Sequence, residues 1–433
     1  MFWLPNAAQH RVRGGLTASF DGIGLELEGV LGVAESEDVD AFSLMLDAPD
    51  HYELIHGSAD GPVTLEDCTT VNSGGTLAMR SFHADGSPAG AFSMPHQEVR
   101  AMRAVLGVYL RRFELTGLRL QLTHLAQWAG VPNGDVTPLE GGGTRMEYRP
   151  PVPVVATIDG ARVSIEWTAG ATWGSSGRMA LEPGVAFVVE LPAPMSLTDA
   201  LRQFVTPLQA FMTLATSTAN AVTHLHIRPS PAALLSAEQP GAGHLWPCFY
   251  PAKGRRGVVV EQLAHDEPFF RLSEVRDRFG DVLSRWFETI GQFGPAVNLY
   301  VAQLHSPPEH LELRFLLAAM TAEVLHARLN IGRGRMSLHR RMLELVQNMP
   351  PSSAVIIGSS DIFAALVART RNYYTHWDDP ADVASGGNLL VLTEKVRLVT
   401  QATLLHELGF SADELDQVIS RNRATATIAA LQQ

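Results

Sequence analysis

The chain has 433 residues, 46% of them apolar, with two cysteines and a formal net charge of −12. That length exceeds one ordinary core and points to two or three domains. Two distant thiols, Cys68 and Cys248, exclude a disulfide framework or a cysteine-based metal site, and the absence of any run of eighteen apolar residues excludes a membrane-spanning helix.

Residues 1–15 hold no continuous apolar segment of the kind that opens a secretory leader, so the expected location is the cytoplasm. The first strand signal is Gly22–Val33, where Leu25 and Leu27 alternate with Glu26 and Glu28 as in a half-buried sheet. Tyr52–His56, Leu118–Leu122, Val154–Ile158, Arg162–Trp167 and Ala186–Leu191 repeat the signal, with a hairpin turn at Asp159-Gly160. Strands at this spacing, without intervening helices, predict an antiparallel, sandwich-like domain or open barrel. Ser196 and Asp199 then form a variant capping box that opens a helix over 197–216. Its stripe of Leu201, Phe204, Leu208 and Phe211 reads as a core face, and Pro207 should kink it. A strand around Val222–Ile227 follows. Arg228–Gly257 reads as loops, with one more strand at Gly257–Leu263 and a domain boundary near residue 265.

From Leu272 onward the period is helical, with helices at about 273–304, 310–329, 337–348, 361–377 and 388–408, and a last one at 412–422 capped by Ser411. Ser306-Pro307-Pro308, Gly332–Arg335, Pro350-Pro351 and Asp379-Pro380 supply the breaks between them. The expected fold class is therefore α+β and multidomain: a mainly antiparallel β domain, then an all-α bundle of five or six helices. Residues 1–271 carry 18 basic and 28 acidic side chains, and residues 272–433 carry 15 and 17. The acidic first part repels phosphate backbones and suits a protein ligand better than nucleic acid. In the near-neutral second part Arg333, Arg335, Arg340, Arg341, Arg369 and Arg371 fall in two short stretches, room for a local anion site.

The most specific signal lies on the fourth predicted helix, AALVARTRNYYTHWDD. Arg371 precedes His376 by five residues, so their Cα atoms stand roughly 140° around and about 7.5 Å along a helix, while Asn372 and His376 share a face. Breaking an RNA backbone without a metal needs a base, an acid and a cation over the developing phosphorane charge. His376 suits either proton-transfer role, and the Arg371 fork suits phosphoryl oxygens. The same two residues could instead sit at a helix C-terminus only to meet its dipole. Rival motifs are absent: no H-E-x-x-H, no Walker loop, no G-x-S-x-G elbow, and Gly22-Ile23-Gly24 and Gly141-Gly142-Gly143 lack a βαβ setting.

The Arg-Asn-x3-His core resembles the R-x4-6-H signature of HEPN-domain ribonucleases. With a strand-rich part of about 265 residues before it, the chain resembles the ApeA-like HEPN family of bacterial anti-phage defence proteins. The HEPN likeness covers roughly 272–433; the N-terminal likeness rests on architecture, on Trp128 after the LRLQLTHLAQW strand and on the helix ending FMTLAT. This resemblance implies a sensor or regulatory domain over 1–265 and a nuclease domain over 266–433, acting in abortive infection. It makes Arg371 and His376 the catalytic pair and Asn372 their companion, with RNA as substrate, no metal or cofactor, and a phage protein as the suspected trigger. It also implies a homodimer or higher oligomer, because one copy supplies only one of the two histidines. Glu323 matches an acidic position of the second helix, where it either faces the site or solvates a surface. Tyr373 and Tyr374 either stack on a base or pack, and Arg369 is a further substrate-binding candidate. Asp378 and Asp379 either bond the imidazole or end the helix, and His326 and His339 are bystanders. The rival reading is an inactive HEPN-like scaffold that regulates another toxin, and a sugar or nucleotide site on the β domain stays open.

Overall fold

The computed structural model describes the chain except residues 33–48, 83–87, 133–134, 141, 143, 174–178, 237–242, 253–267, 331–335, 348, 352, 377–381, 423–424, 426–427, 429 and 431–433. Two compact units emerge, residues 1–120 with 190–200 and 222–256, and residues 121–189 with 201–221 and 257–433.

The first unit is an antiparallel β-sheet. Its strands run in the spatial order Phe2–Trp3, His51–Ser58, Pro62–Phe82, Pro88–Leu106, Trp246–Phe249, Val222–Pro229 and Glu114–Leu122. A hairpin of Arg13–Ala18 and Ile23–Glu28 pairs onto Pro88–Leu106. The expected alternation holds: Ile23, Leu25 and Leu27 are buried with Ile55, Leu65 and Val99, while Glu26 and Glu28 are exposed. Burying three aliphatic side chains from one six-residue strand contributes about 1.5–3 kcal/mol each and fixes its register. Buried Gln97 ties the core together, accepting from the Leu31 amide at 3.2 Å and donating to the Tyr52 and Thr70 hydroxyls at 2.9 and 3.1 Å.

Two expectations for this unit change. The strand read over Gly22–Val33 stops at Glu28, because Gly29 adopts φ +143° and a side chain there would meet Val12 at 2.9 Å. Within the stretch read as loops, Trp246–Phe249 forms a strand, with Cys248 opposite Val105 and Phe249 opposite Ala104. Four residues containing a proline carry no periodic signal; partners on both sides create that strand. The strand expected at Gly257–Leu263 lies outside the described residues, as do the breaks at Gly332–Arg335 and Asp379-Pro380.

In the second unit Val154–Ile158 pairs with Ala161–Trp173 through Asp159 and Gly160, whose φ values of 48° and 80° are those a two-residue hairpin needs. LRLQLTHLAQW is not strand to its end. The strand stops at Leu122, and Trp128 rides on helix α1 (Leu125–Ala129), its ring buried against Phe187 and Phe211 at centroid distances of 6.4 and 5.6 Å. The helix over 197–216 begins as expected, the Ser196 hydroxyl accepting from the Asp199 amide at 3.1 Å. Pro207 disturbs it locally: a π-helical turn, Leu201–Val205, precedes helix α2 (Thr206–Thr216). A wider turn gives the prolyl ring room beside the carbonyl it cannot bond.

After a short helix at Leu272–Val275 come α3 (Phe279–His305), α4 (Leu311–Leu329), α5 (Leu338–Gln347), α6 (Ser353–Ile357), α7 (Ser360–His376), α8 (Gly386–Glu407) and α9 (Ala412–Ser420). Helix α3 bends at Phe293, with φ −114° and ψ 17°, two residues before Pro295, a break not foreseen for 273–304. The proline removes one amide donor and crowds the preceding turn. Helix α6 was also not foreseen; it is five residues long, directly after Pro350-Pro351. Ser411 caps α9 through a reciprocal box with Glu414. Phe315, Ala318 and Ala322 of α4, Phe363 and Val367 of α7, and Leu389, Leu392 and Val396 of α8 share one core. No helix among the described residues is long and apolar enough to cross a membrane.

His124 is 2% exposed and neither ring nitrogen has a partner among the described residues; burial lowers its pKa below the usual 6.5. Protonation is therefore favoured in the unfolded chain, so stability present above pH 6.5 is lost as pH falls below it. A pH series of thermal melts should show this loss, and His124→Leu should reduce its slope; an unchanged slope would assign the acid sensitivity elsewhere.

Candidate active site

Helix α7 buries Phe363, Val367 and Thr370, spaced by four and three residues, and thereby turns the Arg371 and Asn372 side chains toward its margin. Thr370 and Tyr374 pin the chain that returns after the helix. The Thr370 hydroxyl accepts from the Ala384 amide at 3.1 Å, and the Tyr374 hydroxyl donates to the Ala384 carbonyl at 3.3 Å. Burial, helped by Glu312 and Tyr373, raises the Tyr374 pKa, so the phenol keeps the proton it donates. Neither residue signals this role by a motif; only their places on the stripe below Phe363 point inward.

The Arg371 guanidinium is one-third exposed. Its Nη2 lies 3.7 Å from Glu323 Oε2, and its Nη1 donates to Asn372 Oδ1 at 3.3 Å. Glu323 thus faces Arg371. Arg341 adds a second cation, donating to the Glu323 carbonyl at 3.3 Å. The Thr375 hydroxyl bonds back to the Arg371 and Asn372 carbonyls at 2.8 and 3.3 Å, occupying two acceptors of the last turn.

His376 ends α7 and is exposed. Among the described residues no hydrogen bond or ion pair engages its ring. Tyr373 is half-buried, edge-on to Tyr374 at 5.1 Å, and Tyr374 in turn faces Phe315 at 6.5 Å. Arg369 is exposed, 3.9 Å from Asp382. The structure therefore brings Arg371, Asn372 and Glu323 together, leaves His376 open at the helix end, and engages Tyr374 with the core. Asp378, Asp379, Arg333 and Arg335 lie outside the described residues. Among the described residues no group of three or more metal-ligating side chains occurs.

A guanidinium and a solvent-facing imidazole five residues apart toward one helix end can hold an anion and move a proton. Comparison with known families gives this arrangement its context. The model described as ApeA N-terminal domain 1 matches residues 1–286, and the one described as Apea-like HEPN matches residues 310–414. The chain belongs to the ApeA family and carries an Apea-like HEPN domain. Curated proteins and solved structures gave no match. HEPN domains are typically ribonucleases of defence systems. In this ApeA-family chain, Glu323, Arg371, Asn372 and His376 all fall inside the HEPN match, on α4 and α7.

Proposed function

We propose that the protein is a metal-independent endoribonuclease of anti-phage defence, and that Arg371, Asn372 and His376 form its site. The observation that carries this reading is a cationic fork held near the end of α7, about 7.5 Å along the helix from an imidazole that has no partner among the described residues. One His376 accepts the proton of the ribose 2′-hydroxyl as O2′ bonds to phosphorus. The P–O5′ bond breaks, and a second His376, from another copy of the chain, delivers a proton to the leaving 5′-oxygen. A 2′,3′-cyclic phosphate and a free 5′-hydroxyl result.

Arg371 binds the non-bridging oxygens as their charge grows, and Glu323 sets the direction of its side chain beforehand. The working protein is then a dimer or higher oligomer. Since unrestrained RNA cleavage would poison the host, the acidic β domain serves as the sensor, and a phage protein as the trigger. The test is a phage challenge of cells carrying wild type, Arg371→Ala or His376→Ala. Protection with fragmented cellular RNA is expected in wild type alone. Full protection by both variants would favour the inactive-scaffold reading.

A further inference from the structure

The carboxy-terminal ends of α4, α5 and α8 enclose a cavity of about 310 Å³, at the small end of the roughly 300–1,000 Å³ found for ligand clefts. Its polar edge comes from His326, Asn330, Glu344 and Gln347, and aliphatic faces come from Leu329 and Met349. His326 is 2% exposed, and its Nε2 sits 2.9 Å from Glu344 Oε2, while Arg340 Nε lies 3.5 Å from Glu344 Oε1. The second carboxylate at the rim, Glu407, has its own imidazole, His406, at 3.6 Å. Among the described residues that line it, none carries a guanidinium or ammonium group.

Polar groups of His326, Asn330, Glu344 and Gln347 beside aliphatic carbon of Leu329, Leu345 and Met349 suit a ligand with donors and acceptors along its edge and an apolar body. The position of the cavity narrows the choice. Glu323, His326 and Asn330 follow one another along a single flank of α4 at i, i+3 and i+7, so the cavity begins about 4.5 Å along the helix from the carboxylate that holds Arg371. Helix α5 repeats the link: Arg341 bonds Glu323, and Glu344, three residues on, bonds His326.

We propose that this cavity receives a single nucleobase of the RNA strand, splayed from a nucleotide neighbouring the phosphate at Arg371. Single-stranded RNA is commonly read in this way. Through this subsite the enzyme selects where it cuts. The proposal rests on the nuclease reading, but base binding is measurable without turnover.

The full-length His376→Ala protein is titrated with adenosine, guanosine, cytidine, uridine and RNA hexamers containing each base. Thr403→Trp, which projects a large ring into the cavity from α8, and Gln347→Ala, at an exposed rim position, are added separately, with melting temperatures as controls. At least one nucleoside should bind, its hexamer more tightly, with a loss of tenfold or more in whichever cavity variant stays folded. Wild-type cuts should then be enriched for that base at one fixed offset. Binding by no nucleoside, binding unchanged in the folded variants, or a free nucleoside binding where hexamers are excluded would overturn the subsite. Cavity-dependent binding in a protein that never cuts RNA would support the pocket and remove the nuclease reading.

Discussion

Replacing His376 by alanine is expected to slow RNA cleavage by about 10²–10⁴-fold, the range that positioned proton transfer supplies. The protein would be activated with an extract of phage-infected cells and followed by the loss of intact transcript. Arg371→Ala should cost roughly 10²–10³-fold through lost charge stabilisation at the phosphoryl oxygens. Because the two side chains act on one transition state, the double variant should fall well short of the product of the single losses. The exposed His376 ring has no partner among the described residues, and Arg371 gives up a partly exposed pair at 3.7 Å, a contribution of about 0–1 kcal/mol, and a 3.3 Å hydrogen bond to its neighbour Asn372. Folding should therefore survive both changes. A large fall in melting temperature with intact cleavage would make the pair a helix-end cap and nothing more.

Trp286→Ala should have the largest effect on stability. Trp286 is fully buried in α3; its indole donates to the Pro207 carbonyl at 2.8 Å and its ring meets Phe211 at 6.0 Å. Phe211 continues to Trp128 and Phe270, and Phe270 to Phe410 at 5.1 Å. Removing such a ring costs about 3–5 kcal/mol, and the carbonyl left without its donor adds to that. Against a total of about 5–15 kcal/mol this is a large fraction, read as a drop in the denaturant midpoint. A loss below about 1 kcal/mol would mean the string of rings is not continuous in solution.

The same contacts bear on the division of the chain. Trp128 and Phe211 belong to the span matched by the ApeA N-terminal domain, and Phe410 to the HEPN match, yet they pack in one compact unit. Gln401 of α8 likewise donates to Ser217 at 2.6 Å and to Tyr300 at 2.8 Å. The change from strand to helix period near residue 265 is plain in the sequence. Which early segments join the helical unit is not, because those contacts link residues from 59 positions apart, Phe211 and Phe270, to 184, Ser217 and Gln401, and leave no periodic trace.

Helices α4, α5, α7 and α8 were legible within a few residues, since each carries a continuous apolar stripe ended by proline, glycine or a cap. The bend at Phe293 escaped because Pro295 lies inside an otherwise unbroken apolar stripe. The candidate site stood out in the sequence as a spacing of Arg371, Asn372 and His376, and the family likeness was legible with it. The pairing of Glu323 with Arg371 and the hold of Thr370 and Tyr374 on Ala384 depend on how α4 and α7 pack, which no local pattern specifies.

The most direct measurement compares an RNA oligonucleotide with the same strand carrying a single 2′-deoxynucleotide at the cut position, in excess chelator and with the activated wild-type protein. The account predicts cleavage of the first into 2′,3′-cyclic phosphate and 5′-hydroxyl ends, and an uncut second strand. Cleavage of the deoxy-substituted strand at that position, or loss of all cutting in the chelator, would contradict it.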